Sequence, residues 1–354
     1  MNFKNNLLLC VFLFVAQNSF SALYGGIEIG SKGIKVSIVE MTSVKKGDYK
    51  LIEYWVDNVG LAKGISTDGN MMQENIEITG YIVMKDYLKL LNVFKIENKN
   101  IYIVASSGIG MAKNTDVLIA KIKENTEKEL EIITANLEGK LLLKGCIPPK
   151  FYMDSMVLDI GGGNTKGGYI QIHNVENQVF FPLVLNLGTI TLTDKIKKIE
   201  KEIESSSFSE ISAQYSGILK SDFSRMYSDR EFALEKKNVY MSGGATWAFY
   251  TLFHEKEATA NYNSFTIKEV KDYNEILTKN FEKLELLAIT NPDVDKVLKT
   301  YSKEHLMSAN ILLMSSLENF DKPEEKNLFF AKQGQIAWLI GYIVDSAKFG
   351  KVIY

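Results

Sequence analysis

Two stretches of the sequence combine an acidic residue, a turn of small residues and a lysine, and together they suggest phosphate chemistry. Residues 27–36 (IEIGSKGIKV) and residues 158–169 (LDIGGGNTKGGY) each begin as a short apolar strand with an acid near its end and continue as a second strand. Backbone N–H groups around such a turn form a hollow that accepts a phosphate group. The carboxylate can hold a hydrated divalent cation. One unit in each half of the chain predicts a cleft that grips a phosphate chain from both sides.

The three glycines of the second stretch, Gly161 to Gly163, also resemble a dinucleotide-binding fingerprint. That fingerprint must open a helix, whereas residues 168–172 (GYIQI) continue as a strand. The second stretch therefore predicts a β-hairpin. For either turn alone, the alternative interpretation is an ordinary hairpin that binds nothing, and the matched pair argues against it.

Composition and charge restrict the classes of function. The chain has 354 residues, a length typical of about two domains. With 46% hydrophobic and 24% charged residues, it has an ordinary globular composition. The formal net charge of −2 gives no overall attraction for polyanions, so nucleic-acid binding is disfavoured and a phosphate grip must be local. The three histidines are scattered without metal-ligand spacing, which argues against a zinc centre or a histidine-based triad.

The N-terminus predicts export. Lys4 precedes an apolar run over residues 7–16, and Ser19, Phe20 and Ser21 form a small-x-small cleavage site. We interpret residues 1–22 as a signal peptide that is cleaved near Ser21/Ala22, so that the mature protein is periplasmic or secreted. The apolar run is too short to span a bilayer comfortably, so stable membrane insertion is not expected. Cys146 would be the only cysteine of the mature chain, which leaves no intramolecular disulfide.

Strand and helix patterns alternate along the chain and indicate an α/β core. Strand patterns include residues 49–56, 101–105 and 130–133, and helical patterns cover 83–94, 116–128, 193–203, 267–287 and a long tract from Pro292 to Leu317. In the first of these helices, Met84, Leu88 and Leu91 are expected to face inward. Pro148 and Pro149 mark a short link between the two halves.

The order of the motifs resembles the exopolyphosphatase/guanosine pentaphosphate phosphatase (Ppx/GppA) family, which shares its fold with actin, sugar kinases and heat-shock ATPases. Six segments follow the family's order and approximate spacing: residues 28–35, 106–114, 132–140, 158–165, 185–193 and 241–246. The resemblance implies an α/β fold of two actin-like (ribonuclease H-like) domains with an interdomain cleft. We assign domain I to residues 23–141 and domain II to 142–339. A C-terminal helix at about 340–354 is a candidate to pack on domain I.

The resemblance also implies roles for individual residues. A glutamate at the family's interdomain hinge acts as base toward the attacking water, and Glu138 stands at that position. Glu28 and Asp159 would hold a cation, with Mg²⁺ as the predicted cofactor. The predicted phosphate grip consists of Gly30, Ser31, Lys35, Gly161, Gly162, Gly163, Asn164, Thr165 and Lys166. Phosphoanhydride hydrolysis requires mainly an oriented water and neutralised phosphate oxygens. Without its motif, Glu138 would be interpreted as a solvated glutamate at the start of a helix.

Three positions depart from the family pattern. The family's arginine in the second segment falls at Gly110, the glutamate that closes the second turn falls at Lys166, and the aspartate of the first turn is Glu28. The first two changes together leave the cleft about one charge unit more positive. We therefore expect Lys166 to contact phosphate directly and to replace, in part, the arginine or a metal ion. The alternative is that Lys166 points to solvent from its strand.

The function that we predict is that of a divergent phosphoanhydride phosphatase, which releases terminal phosphate from polyphosphate or a guanosine or other nucleoside polyphosphate. The alternative is a non-catalytic phosphate- or nucleotide-binding protein of the same fold. A third interpretation, an ATP-dependent kinase or actin-like ATPase, depends on Gly243 and Gly244 as the border of an adenosine pocket. A homodimer is compatible with the sequence.

Overall fold

The computed structural model describes residues 22–174, 177–203 and 205–350. The predicted signal peptide, residues 1–22, lies outside the described residues except for Ala22, which begins the first strand. The strands are β1 (Ala22–Ile29), β2 (Gly33–Ser43), β3 (Asp48–Asn58), β4 (Ile101–Ala105), β5 (Glu131–Ile132), β6 (Ser155–Ile160), β7 (Thr165–Asn174), β8 (Asn177–Leu185), β9 (Asn238–Ser242), β10 (Tyr262–Phe265) and β11 (Asn327–Ala331). The α-helices are α1 (Ile65–Asp68), α2 (Gln73–Asn92), α3 (Thr115–Thr126), α4 (Ala135–Cys146), α5 (Thr189–Glu202), α6 (Phe208–Ser228), α7 (Phe232–Glu235), α8 (Gly243–His254), α9 (Ile267–Lys279), α10 (Phe281–Ala288), α11 (Pro292–Thr300), α12 (Lys303–Leu317) and α13 (Gly334–Phe349).

The strands form two sheets that repeat one arrangement. The strand order is β3-β2-β1-β4-β5 in the first sheet and β10-β11-β9-β6-β7-β8 in the second. In each, the strand before the glycine turn pairs antiparallel with the strand after it and parallel with a strand on its other side. Both predicted hairpins are therefore confirmed. The central strands β1 and β6 are apolar and largely buried, as expected for strands covered on both faces.

Each sheet has its own apolar core. Ile27 and Val36 of the first sheet pack with Val83 of α2 and Leu118 of α3. In the second half, strand β6 packs with residues from α5, α6, α8, α9 and α12 in one continuous cluster. Each sheet therefore contributes to a large apolar cluster of its own.

Helices α4 and α13 lie between the two sheets. Val104 of β4, Leu141 of α4, Ile340 of α13 and Val157 of β6 belong to one buried apolar cluster. Helix α13 begins at Gly334, earlier than the predicted 340, and its Leu339 and Ile343 side chains approach Gly26 of β1. The predicted domain boundary at residues 141 and 142 falls within α4.

Helix boundaries differ most from the sequence-based predictions. Leu88 was expected to face inward, but it is 44% exposed, because α2 begins at Gln73 and buries Ile76, Val83 and Leu90 instead. The helix predicted over 267–287 breaks at Asn280, and the tract from 292 to 317 breaks at Tyr301 and Ser302, where the Ser302 hydroxyl accepts from the His305 N–H and begins α12. Within the described residues, no helix combines the length and apolar character needed to cross a membrane.

Candidate active site

The two glycine turns lie at the edge of one cavity between the halves of the chain. In the first turn, the Gly30 N–H donates to the Gly33 carbonyl at 2.9 Å, and in the second the Gly161 N–H donates to the Asn164 carbonyl at 3.1 Å. The cavity has a volume of about 490 Å³ and is lined by residues of both halves. This size falls within the range of small-molecule sites in proteins.

Charged side chains give this cavity a local positive excess. Among the described residues, five lysines and three carboxylates line it, an excess of two positive charges: Lys32, Lys35, Lys166, Lys296, Lys332, Glu28, Asp159 and Glu257. The whole chain has a net charge of −2, so the positive charge is concentrated at the cavity. Such a concentration of positive charge attracts a polyanion locally. The sequence predicted that any phosphate site would need a local positive charge of this kind, because the chain as a whole is slightly negative.

Each hairpin carries a carboxylate directly opposite a lysine. Glu28 of β1 pairs in register with Lys35 of β2, and Asp159 of β6 pairs in register with Lys166 of β7. The Lys35 Nζ lies 3.0 Å from Glu28 Oε1, and the Lys166 Nζ lies 2.6 Å from Asp159 Oδ2. Opposite residues on an antiparallel pair project to the same face and interact. The two turns thus repeat one local device, a carboxylate–lysine pair beside a glycine turn.

Lys166 is buried, so its predicted alternative orientation toward solvent is wrong. Only 6% of the residue is exposed, and its Nζ also lies 3.0 Å from Glu138 Oε1. Burial by itself would lower the pKa of Lys166, but the carboxylates of Asp159 and Glu138 outweigh burial and raise that pKa above its ordinary value. Lys166 therefore carries a positive charge at neutral pH and bridges two of the predicted functional carboxylates.

Glu138 is held in the first turn of α4, whose start the sequence specifies. The Thr134 hydroxyl accepts a hydrogen bond from the Leu137 N–H and caps the helix. Gly139 then allows α4 to approach β7 closely, since a Cβ at this position would lie 2.6 Å from the Gly167 carbonyl oxygen. This contact between a helix and a strand brings Glu138 against Lys166.

Both carboxylate oxygens of Glu138 have neighbours. Oε2 accepts from the Ser107 N–H at 2.9 Å and from the Ser107 hydroxyl at 2.6 Å, while Oε1 faces Lys166. Asn164 of the second turn donates its Nδ2 to the Ser107 hydroxyl oxygen at 2.9 Å. Glu138 is fully buried and does not line the cavity, so the interpretation as a solvated glutamate is wrong.

The predicted phosphate-binding residues divide into two groups. The members that line the cavity are Gly30, Ser31, Lys35, Gly161, Gly162 and Lys166. Gly163, Asn164 and Thr165 lie behind the turn, where the Thr165 hydroxyl donates to the Leu187 carbonyl. Gly110, which stands where the family has its arginine, also lies away from the cavity wall.

The predicted magnesium ligands, Glu28 and Asp159, both line the cavity, but lysines contact both of them. Glu28 Oε2 is buried without a hydrogen-bond partner, as a ligand oxygen would be. Burial raises the pKa of the Glu28 carboxyl, and Lys35 only partly opposes that shift. An ammonium group against each carboxylate repels a divalent cation, so this donor set does not fit a magnesium ion held by the protein. Magnesium stays a prediction from the resemblance.

Three further residues of the site were not singled out in the sequence. Ser107 follows β4 in a loop of small residues at the carboxyl end of a parallel strand, and that position was a usable signal. Lys32 lies within the first turn, with its Nζ 5.0 Å from the centre of the Tyr301 ring. Gln335 gave no local signal, because its carbonyl accepts from Lys35 at 2.8 Å across 300 residues of chain.

The curated proteins that are similar in sequence to this chain include a phosphatase and a pyrophosphatase. The bifunctional 3-dehydroquinate synthase/phosphatase of Fusobacterium nucleatum is 25% identical over 321 residues, which cover 86% of this chain and 44% of that protein. The guanosine-5'-triphosphate,3'-diphosphate pyrophosphatase of Pseudoalteromonas atlantica is 28% identical over 181 residues, which cover 51% of this chain and 34% of that protein. The chain thus spans less than half the length of these curated relatives.

Solved structures support the same fold. An exopolyphosphatase from Cytophaga hutchinsonii superposes with a TM-score of 0.67 at 16% identity, covering 92% of this chain and 97% of that one. The fold is accordingly the predicted α/β arrangement of two actin-like domains.

The sequence model of the Ppx/GppA phosphatase family matches residues 38–291. Because this match covers well over half of the sequence, the chain belongs to the Ppx/GppA phosphatase family.

Proposed function

We propose that this protein is a phosphoanhydride hydrolase that releases terminal phosphate from polyphosphate or from a guanosine or other nucleoside polyphosphate. The observation that carries the proposal is the cluster of Glu138, Lys166 and Asp159 beside the second glycine turn of a positively lined cavity. The name of the Pseudoalteromonas relative, a guanosine-5'-triphosphate,3'-diphosphate pyrophosphatase, supports the nucleotide class of substrate.

In the proposed reaction, the cavity holds the phosphate chain through its lysines and through N–H groups of both turns other than those of Gly30 and Gly161, which donate within the turns. A water oxygen attacks the terminal phosphorus, the bond from that phosphorus to the bridging oxygen breaks, and the water gives up a proton to Glu138. The shortened phosphate chain leaves with the bonding electrons on its oxygen. Neutralised oxygens and an oriented water supply most of the catalysis of phosphoryl transfer.

Glu138 needs access to that water. Its Oε1 lies against Lys166, and a bound phosphate competes with Glu138 for the same ammonium group. Movement of Lys166 toward phosphate would free Oε1 for a water, while Ser107 continues to hold Oε2. Closure or opening of the two halves about α4 would accompany such an exchange.

A second candidate function is a binding protein without turnover. It is favoured by the complete burial of Glu138, whose oxygens contact Ser107 and Lys166 rather than the cavity. In this alternative, Glu138 acts as the counter-ion of Lys166, and the cavity binds phosphate chains or nucleotides.

The test compares phosphate release from polyphosphate, guanosine pentaphosphate and ATP by the wild type and by Glu138→Gln. We expect the variant to lose about 10²–10⁴-fold in kcat, the usual contribution of a general base, while it still binds the substrate. Glu124→Gln, on the exposed side of α3, is the matched control and should keep full activity. Binding of all three compounds without release by the wild type supports the binding protein, and preference for ATP supports the ATPase alternative.

We also propose that residues 1–22 direct export. N-terminal sequencing of the protein from the cells that produce it should find a start near Ala22, and a retained Met1 would contradict export. Light scattering of the purified chain distinguishes a monomer from the homodimer with which the sequence is compatible.

A further inference from the structure

Lys166 lies between two carboxylates, one of them the predicted metal ligand Asp159 and the other the predicted base Glu138. Its Nζ lies 2.6 Å from Asp159 Oδ2 and 3.0 Å from Glu138 Oε1. A magnesium ion between the same oxygens would need distances of about 2.0–2.1 Å and several further oxygen ligands. The ammonium group already fills the position at ion-pair distance from both carboxylates.

The charges around Lys166 also favour an ammonium group of the protein as the cation of this site. Three buried carboxylates, those of Glu28, Asp159 and Glu138, lie with two ammonium groups, those of Lys35 and Lys166. Two of the three negative charges are thus compensated by side chains of the protein. A divalent ion placed at contact distance from the Lys166 ammonium group would be repelled by it. These five groups together carry a net charge of −1, so the attraction for a phosphate group comes from the other lysines of the cavity, Lys32, Lys296 and Lys332.

Tertiary structure holds Lys166 in this position. The Gly139–Gly167 contact fixes α4 against β7, and the register of β6 and β7 places Asp159 opposite Lys166. Since the side chain is 7% exposed, solvent ions compete weakly for its two carboxylates. The fold therefore brings the two carboxylates of Asp159 and Glu138 to the Lys166 ammonium group.

We propose that Lys166 is the resident cation of this site, so that the protein binds phosphate groups without a protein-bound divalent metal ion. The inference rests on the proposed function for the identity of its anion. It concerns the cation requirement of the site, which can be measured whether or not the protein turns over.

The first experiment uses the wild-type chain without any phosphorylated substrate, because phosphate chains bind Mg²⁺ in solution by themselves. Calorimetric titration with Mg²⁺ and with Mn²⁺ should give no saturable binding up to 5 mM, a concentration on the order of that needed for weak oxygen-ligand sites. Titration with inorganic phosphate should give the same Kd, within twofold, in EDTA and in Mg²⁺. Saturable metal binding, or phosphate binding that weakens more than tenfold in EDTA, would overturn the proposal.

The second experiment replaces the Lys166 ammonium group by a carboxylate, which can serve as a metal ligand. Lys166→Glu adds a fourth carboxylate where the ammonium group was, so we expect it to bind Mg²⁺ and to gain about 3 °C or more in Tm at saturating Mg²⁺. Lys166→Met, which removes the charge without adding a ligand, should gain less from Mg²⁺ and should lose phosphate affinity in EDTA at least tenfold. The control is Lys236→Met, a buried lysine that donates to the Met153 and Ile170 carbonyls outside the cavity. Its phosphate affinity should match the wild type.

The outcomes separate this proposal from the proposed function. Phosphate binding in EDTA without any turnover would contradict hydrolysis and leave Lys166 as the resident cation. Hydrolysis together with metal binding by the substrate-free wild type would contradict the resident cation and leave hydrolysis in place. If neither variant at Lys166 folds, the wild-type titrations alone decide.

Discussion

The two hairpins have the same local design, and the rest of the fold gives them different roles. Each places a carboxylate opposite a lysine across a glycine turn, with the same spacing in sequence. Lys35 of the first hairpin is 26% exposed in its side chain and donates to a distant backbone carbonyl, that of Gln335. Lys166 of the second is 7% exposed and contacts a second carboxylate, that of Glu138. Both pairs therefore line the cavity, but the second pair also contacts a further buried carboxylate, that of Glu138.

This difference arises from the helix that packs against each hairpin. Helix α4 touches β7 through Gly139 and Gly167, and it supplies Glu138 to the second hairpin. Against the first hairpin, the beginning of α13 supplies the Gln335 carbonyl, which carries no charge. The charged neighbours of each hairpin thus depend on the helix that packs against it.

The largest expected effect contrasts the two lysines directly. Lys166→Met leaves two neighbouring buried carboxylates without their cation, so we expect a loss of about 3–5 kcal/mol in the free energy of unfolding. Lys35→Met should cost about 1–2 kcal/mol, because Lys35 is partly solvated and Glu28 can accept a proton more readily than an ordinary carboxyl. Urea denaturation of both variants in EDTA gives the two values. Equal losses would show that the covering element does not distinguish the hairpins.

The next prediction changes the contact that makes the hairpins differ. Gly139→Ala places a Cβ against the Gly167 carbonyl, so α4 must shift and the stability should fall by about 1–3 kcal/mol. Gly217→Ala is the matched helical control, because no atom lies within 4 Å of its added Cβ. That substitution should stabilise the protein by about 0.5–1 kcal/mol. A Gly139→Ala variant as stable as the control would remove the close approach as the cause.

A smaller effect is expected where Ser107 connects Glu138 to the second turn. Ser107→Ala removes the hydroxyl that donates to Glu138 and accepts from Asn164, so we expect a loss of about 1–2 kcal/mol. Ser31→Ala, in the first turn, removes a hydroxyl that lies near Gly108 and Gly163 and should cost less than about 0.5 kcal/mol. Thermal melts of the two variants side by side measure the difference. A larger loss of stability in Ser31→Ala than in Ser107→Ala would mean that the first turn holds the two halves of the chain together.

The smallest effect concerns pH. Burial, together with Lys32 of the first turn and Lys197, lowers the pKa of His305 to about 4, and Glu304 only partly opposes this. The unfolded chain, with the ordinary histidine pKa near 6.5, then binds more protons than the folded chain between these values. Stability from this group is present above pH 6.5 and is lost as the pH falls toward 4, by less than about 2 kcal/mol for a partly exposed side chain.

His305→Gln should therefore flatten the fall in Tm between pH 6.5 and 4. Lys32→Met should flatten it partly, by removing one of the neighbouring positive charges. An unchanged slope in His305→Gln would assign the acid sensitivity to another group.

Local sequence signals predicted the hairpins well and the helices less well. The turns at Gly30 and Gly161 were predictable because short-range sterics and period-two alternation determine a hairpin within about ten residues. Helix α6 was not predicted, although Ser207 and Glu210 form a capping box at its start. The break at Asn280 was missed because α9 and α10 continue one apolar pattern across it.

The sequence by itself identified the candidate functional residues. These are the acids and lysines that flank two glycine turns, the residues of the family motifs in their order, and Glu138 at the start of a helix. Each depends on residues close together along the chain, where bond geometry and hydrogen bonding act directly. Only the tertiary structure decided that Lys166 is buried between Asp159 and Glu138, and that Glu138 lies behind the cavity wall. The Lys166–Glu138 contact joins β7 to α4, which lie in different parts of the chain and meet through the close packing of Gly139 on Gly167. That packing depends on how all the helices between the sheets are arranged. A local sequence pattern does not predict this arrangement, because it involves residues that are far apart in the chain.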